Sequence, residues 1–251
     1  MPFPKPILYV IRNMFFLKKI IYKIEKTRIA KYEKFVINTY KKCVLNTQAD
    51  KEYLGNDKSI YVHPMGVNCL EKIPSEYKKD KIVFIGNMRT LQNQDAVQFF
   101  VDDILPLVKQ KIPQVVFHII GAEPPAFIQK MTDEKNIIVS GFVDSVEDEI
   151  KDAAIAVAPV RIAAGIQNKV LISMACGVPV VLTSLISVGI PELVSNENCI
   201  IADGKEGFVN AAVSLMQSNE MRNNIGKAGY DMVRAEYSWN KTLKGYEEGL
   251  L

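Results

Sequence analysis

Two wholly apolar runs bracket a glycine loop and a short helical segment between Ala156 and Thr183, AVAPVRIAAGIQNKVLISMACGVPVVLT, and that arrangement leaves few folds open. Runs 155–160 and 178–182 carry no polar residue, as strands covered on both faces do, which predicts a parallel sheet. Asn168 to Cys176 is long enough for a short helix, and Gly177 suits its end. At the helix start, Ala163, Ala164, Gly165 and Ile166 leave backbone N–H groups free where the macrodipole favours an anion. The pattern predicts a phosphate site. The plainer reading makes Gly165 a turn glycine and Gly177 a C-cap only.

From Lys81 onward, apolar strands alternate with amphipathic helices, which predicts an α/β fold: a doubly wound, mostly parallel, Rossmann-like sheet with helices on both faces. The strands are KIVFIG (81–86), VVFHIIG (115–121), NIIVSGFV (136–143), IAVAPV, VPVVLT and CIIAD (199–203), with helices between them. Two further helices, 220–236 and 239–249, close the chain. Residues 1–70 differ, with a long helix to about Tyr40 and two short strands, CVLN (43–46) and IYVH (60–63). That is too little for a second complete domain, so the segment reads as the tail of one. EKIPSEYKKD, 71–80, lacks a hydrophobic period and reads as the linker to a domain over 81–238, with 239–251 a C-terminal helix.

The bulk numbers exclude several classes. A net charge of +3 over 251 residues does not call for nucleic acid. Cys43, Cys69, Cys176 and Cys199 form no CxxC pair, which argues against a zinc site or disulfide framework and fits the reducing cytoplasm. His63 and His118, the only histidines, read as structural. Glu147, Asp148, Glu149 and Asp152 read as a solvated helix face rather than a metal site. No metal is expected.

The stretch 8–34 mixes aromatic and aliphatic residues with Lys and Arg, and Arg12, Lys18 and Lys19 interrupt any spanning run. It predicts a long helix packed on the protein with its charges outward. The alternative is a basic amphipathic helix on anionic lipid, Phe15, Phe16, Ile20 and Ile21 inward and Lys18, Lys19 and Lys23 at the headgroups, peripheral at the inner membrane face.

In open parallel sheets the ligand lies beyond the carboxyl ends of the strands. The loops there are Gly86–Arg89, Gly121–Glu123, Gly141–Val143, Arg161–Asn168 and Ser184–Glu192. GxGxxG is absent after the first strand, and neither Walker A nor GxSxG appears, which weakens dehydrogenase, ATPase and hydrolase readings.

The ordered run VFIGNMRTLQNQDAV, VVFHIIGAEPP, IIVSGFVDSVEDEIKDAAIAVAPVRIAAGIQNKVLISMACGVPVVLT, GIPELV and RNNIGKAGYDMVRAEYSW resembles the nucleotide-sugar-binding half of retaining GT-B glycosyltransferases, group 1 or family 4 type. RIAKYEKFVINTYKKCVLNTQADKEYL with IYVHPMGVN resembles the last part of that family's acceptor-side domain. The resemblance implies hexosyl transfer from a UDP- or GDP-linked sugar to a surface polysaccharide or glycolipid, with no cofactor besides that donor. It also implies that a separate chain could carry the rest of the acceptor side.

By that resemblance, Gly86, Asn87 and Arg89 face the donor diphosphate, as do Gly165, Ile166, Gln167 and Asn168, with Arg161 and Lys169 adding charge. Ser140, Gly141, Phe142 and Val143 lie by the nucleobase, and Ile172 by the ribose. The family's two glutamates, eight positions apart, fall at Ala164 and Ile172, so both carboxylates are absent and no catalytic residue is assigned. Ser173 points away from that position on a helix. Glu192 is the remaining carboxylate on the donor side, unless it caps a helix beginning near Pro191. The loss at Ile172 favours an alternative function: a non-catalytic remnant or partner subunit that binds a nucleotide sugar or another protein. A sugar-nucleotide epimerase is a weaker third reading, because strand ends carry few acids and bases.

Overall fold

The computed structural model describes the backbone over residues 5–163 and 165–250, and side chains over 19–247 apart from Asp133 and Ala164. Ala164, one of the two glutamate positions, therefore lies outside the described residues. The chain opens with α1 (Lys5–Thr39), β1 (Cys43–Leu45), α2 (Gln48–Tyr53) and β2 (Ile60–Val62). β1 and β2 pair in parallel as a separate sheet, Val44 opposite Tyr61. α2 is an addition to the sequence reading, and Thr47 explains it. The Thr47 hydroxyl accepts from the Asp50 amide at 3.0 Å and donates to the Asp50 carboxylate at 2.6 Å, closing a cap around one turn of chain.

No residue between Lys19 and Thr39 is buried, so the packed-helix expectation fails for this stretch. Ile21 and Ile24 are each 54% exposed and Phe35 is 60% exposed. The reason is geometric: β1 and β2 supply three residues each, too little surface to cover a helix of roughly ten turns. Phe15, Phe16 and Lys18 lie outside the described side chains. Among the described residues, no helix is long and apolar enough to cross a membrane.

The rest of the chain runs β3 (Lys78–Ile85), α3 (Leu91–Phe99), a π-turn (Phe100–Ile104), α4 (Leu105–Lys111), β4 (Val116–Ile120), α5 (Ala126–Gln129) and β5 (Ile137–Gly141). It continues with α6 (Val146–Ile150), β6 (Ala153–Ala158), α7 (Asn168–Ala175), β7 (Val180–Leu182), α8 (Ser184–Ser187) and β8 (Ile200–Ile201). Helices α9 (Gly204–Gln217), α10 (Asn219–Glu236) and α11 (Trp239–Leu250) close it. Six parallel strands form the main sheet in the order β5-β4-β3-β6-β7-β8. This is the doubly wound arrangement expected from the alternation, with every residue of β6 and β7 buried.

Several boundaries moved, two of them with a visible cause. β3 starts at Lys78, inside the expected linker, because Lys78 and Lys81 both reach Asp152 at 2.8 and 2.6 Å and pull the strand along β6. α3 starts before the expected DAVQFF because Thr90 accepts from the Asn93 amide and caps it. α11 returns to the N-terminal segment: the Val67 amide donates to Tyr237 O at 2.8 Å, and the Tyr246 ring lies 4.9 Å from that of His63. His118 is buried in β4 and bonded to Ser140 Oγ at 2.5 Å, a core histidine whose pKa burial lowers.

Candidate functional site

β3 and β6 are neighbours in the sheet, although the chain builds outward to β5 before returning to β6. At that reversal the loops leaving two adjacent strands diverge, and a crevice opens at their carboxyl ends. The loop after β3 carries Gly86, Asn87 and Arg89, and the loop after β6 carries Arg161 to Gln167. Close backbone approaches set both. A Cβ at Gly121 would lie 1.8 Å from the Gly86 carbonyl oxygen, so the loops after β3 and β4 touch through glycine. Gly165 sits at φ +65°, and a Cβ at Gly189 would lie 2.5 Å from its carbonyl oxygen. The loop after β7 thus supports the loop that starts α7.

Lys169, in the first turn of α7, does not face water. It is mostly buried, its Nζ 5.0 Å from the centre of the Phe84 ring and hydrogen-bonded to Asn93 Oδ1. Burial pushes its pKa down to about 8, with no neighbouring carboxylate to hold it up. Asn93 also donates through Nδ2 to the Asn87 carbonyl at 2.8 Å. Gln92 Nε2 donates to Gln167 Oε1 at 2.7 Å, a second link between α3 and the start of α7.

The two arginines are engaged elsewhere. Arg161 Nε and Nη2 grip the Asp95 carboxylate at 2.9 and 2.5 Å, with the guanidinium 4.5 Å from the Phe99 ring centre. Arg89 Nε pairs with Glu123 on the loop after β4. Of the three candidate cations, Lys169 is the one bonded to an amide rather than a carboxylate.

On the proposed nucleobase side, the Ser140 hydroxyl is taken by His118 and the Gly141 carbonyl accepts from the Gly121 amide at 2.9 Å. Phe142 projects from the end of β5 at 76% exposed, and Val143 is half-buried. Ile172 packs partly buried against the core. Ser173 donates to the Lys169 carbonyl at 2.8 Å, back into its own helix, and does not replace a carboxylate at 172.

Glu192 does not cap a helix, since none begins at Pro191; the chain turns there and Glu192 Oε2 accepts from the Tyr237 hydroxyl. A cleft of about 200 Å³ opens between Gly165, Ile166 and Asn168 on one wall and Asn46, Asp50 and Met65 on the other. It brings the N-terminal segment to the site loop. Of the acidic helix residues, Asp152 holds Lys78 and Lys81 while Asp148 pairs with Lys151. Among the described residues, no three His, Cys, Asp or Glu side chains converge as a metal site would require.

The sequence reading missed Asn93. Asn93 falls before the expected start of the helix at Asp95, and only the fold turns it toward α7.

The fold is similar to solved glycosyltransferase structures. A Staphylococcus aureus TarM variant crystallised with fondaparinux, alpha-GlcNAc-glycerol and UDP matches with a TM-score of 0.72 and 19% identity over 87% of this chain and 46% of that one. The pneumococcal O-GlcNAc transferase GtfA, solved with UDP and GlcNAc, matches with a TM-score of 0.68 and 12% identity over 82% of this chain and 44% of that one. Anabaena HepE, solved with UDP and glucose, matches with a TM-score of 0.69 and 10% identity over 88% of this chain and 67% of that one. The chain thus spans less than half the length of the first two. No curated protein matches it. Residues 79–218 match the model of the glycosyl transferases group 1 family, and the chain belongs to that family.

Proposed function

We propose that this chain binds the diphosphate of a nucleotide-activated sugar in the crevice between the loops after β3 and β6, and forms the donor half of a glycosyltransferase. The observation that carries this reading is Lys169: a mostly buried cation without a carboxylate partner, at the start of α7 between two glycine-shaped loops. A leaving diphosphate needs fixed positive potential that does not reorganise during reaction. Lys169 supplies a charge, while Gly165, Ile166 and Asn168 at the start of α7 supply aligned backbone dipoles. Gly86 and Asn87 form the opposite wall, and Ser140 to Val143 lie where a base would rest.

The donor is a UDP- or GDP-linked sugar, consumed as substrate, and the acceptor a surface polysaccharide or glycolipid. In this reading Arg161 and Arg89 reach the donor only by releasing Asp95 and Glu123. The unburied stretch 19–39 of α1 and the small β1–β2 sheet await cover from further acceptor-side polypeptide, in the same or a separate chain, or from the inner face of the cytoplasmic membrane. Net basic charge on α1 suits an anionic surface.

Calorimetric titration with a panel of UDP- and GDP-sugars tests this reading. Heat of binding by one donor supports it, and silence from every donor with the protein folded removes it. A second reading rests on Ile172, whose side chain accepts no ribose hydrogen bond: a partner subunit that binds nucleotide sugar without turnover.

A further inference from the structure

We propose that Asn93 is the positioning residue of this site: it fastens the loop after β3 to the first turn of α7, so that the backbone wall and the cation form one anion-binding unit. The inference rests on the donor reading for its ligand but not for its geometry.

Asn93 occupies the third position of α3, where a side chain ordinarily turns back to the cap residue. Here it turns inward and is buried at 6% exposure. Its two ends do different work. Nδ2 donates to the Asn87 carbonyl at 2.8 Å, fixing the loop after β3, and Oδ1 accepts from Lys169 Nζ. Gly86 leaves the space for this, because a Cβ there would lie 2.6 Å from Asn93 Nδ2.

No other oxygen is bonded to Lys169 Nζ among the described residues, and the amine lies 5.0 Å from the Phe84 ring centre, so it keeps donor capacity beyond the bond to Asn93. The charged groups on the adjoining segments are occupied: Asp95 by Arg161, and Arg89 by Glu123. A carboxylate at 93 would neutralise Lys169, and an apolar residue would leave it unsupported. A neutral amide orients the amine and leaves its charge for an incoming anion.

The test uses the full chain in wild-type, Asn93→Ala and Asn93→Asp forms, each checked for folding by circular dichroism. Lys169 ionisation is read as the pH dependence of its acetylation by acetic anhydride, quantified by mass spectrometry. Inorganic pyrophosphate and UDP binding are read by calorimetry over the same pH range. The wild-type amine titrates near pH 8. Asn93→Asp raises that midpoint by about one unit or more, and both Asn93→Asp and Asn93→Ala weaken both probes about tenfold at neutral pH. Wild-type binding weakens as pH rises through the Lys169 midpoint.

A residue that merely packs α3 would leave the Lys169 midpoint unmoved. An unshifted midpoint in Asn93→Asp overturns the proposal, as does Asn93→Ala binding UDP like wild type. If wild type binds neither probe, the donor reading falls, and the acetylation midpoints alone decide whether Asn93 holds Lys169. Should Asn93→Ala fail to fold, Asn93→Asp carries the same decision.

Discussion

The Tyr237 hydroxyl donates to Glu192 Oε2 at 2.5 Å, joining the last turn before α11 to the loop after β7 that supports the site. Burial first, and the Glu192 carboxylate second, raise the Tyr237 pKa above its ordinary value. Tyr237→Phe should lower stability by about 1–2 kcal/mol, read as a smaller denaturant midpoint in equilibrium unfolding. Because the folded pKa is raised, the contribution is complete below about pH 10, the unfolded value, and shrinks above it. An unchanged midpoint for Tyr237→Phe at neutral pH would show that this bond adds nothing.

Lys169 should trade stability for binding. Its folded pKa is lowered from 10.5 to about 8, so the folded protein gains stability as pH rises between those values and is strained by the charge below them. Lys169→Met should raise stability at neutral pH by about 1–2 kcal/mol, after allowance for leaving Asn93 Oδ1 unpaired. The same change should reduce UDP affinity by about tenfold. A variant that is less stable than wild type in thermal melts contradicts the burial argument.

Restoring a carboxylate tests the ribose side. Ile172→Glu should improve nucleotide-sugar affinity by about tenfold, because a glutamate there can accept from ribose hydroxyls. It should also lower the melting temperature, since Ile172 packs against the core. Affinity unchanged by calorimetry would mean that position 172 does not meet the ribose.

Gly189→Ala should disturb the site from behind. A Cβ there meets the Gly165 carbonyl oxygen at 2.5 Å, backbone that cannot swing aside as a side chain does. The expected loss is about 1–3 kcal/mol, with anion binding reduced more than the melting temperature alone explains. Full binding in a destabilised variant would separate this contact from the site.

The uncovered helix makes a further prediction. Ile21 and Ile24 lie one turn or less apart on α1, both more than half exposed. Wild-type protein should float with phosphatidylglycerol vesicles and not with phosphatidylcholine, while the paired change Ile21→Glu and Ile24→Glu should stay in the aqueous fraction with its melting temperature unchanged. Wild type that ignores both vesicle types assigns the surface to protein instead.

How much of this was legible beforehand depends on range. The runs 155–160 and 178–182 were visible as strands because burial on both faces leaves no polar residue, although the strands themselves span 153–158 and 180–182, and the main sheet followed from their alternation with helices. α2 was not, since six residues carry no period and only the Thr47 cap marks them. At the site, Gly165 and the start of α7 could be placed from local chemistry. The loss of Arg161 to Asp95, 66 positions away, and the capture of Lys169 by Asn93, 76 positions away, are facts of sheet order that no local pattern encodes. The same holds for α1: its pattern shows an apolar face, but whether anything covers that face depends on residues far from it.

The adjacency of β3 and β6 has a consequence for how such a chain can change. The gap at their ends is opened by the route of the backbone through the sheet, so it persists whatever side chains line its rim. In the proposed donor reading, the side chain at 172 can therefore change without closing the crevice, and a single substitution there can introduce a carboxylate. A change of side chain at such a rim is reversible in a way that loss of a strand is not.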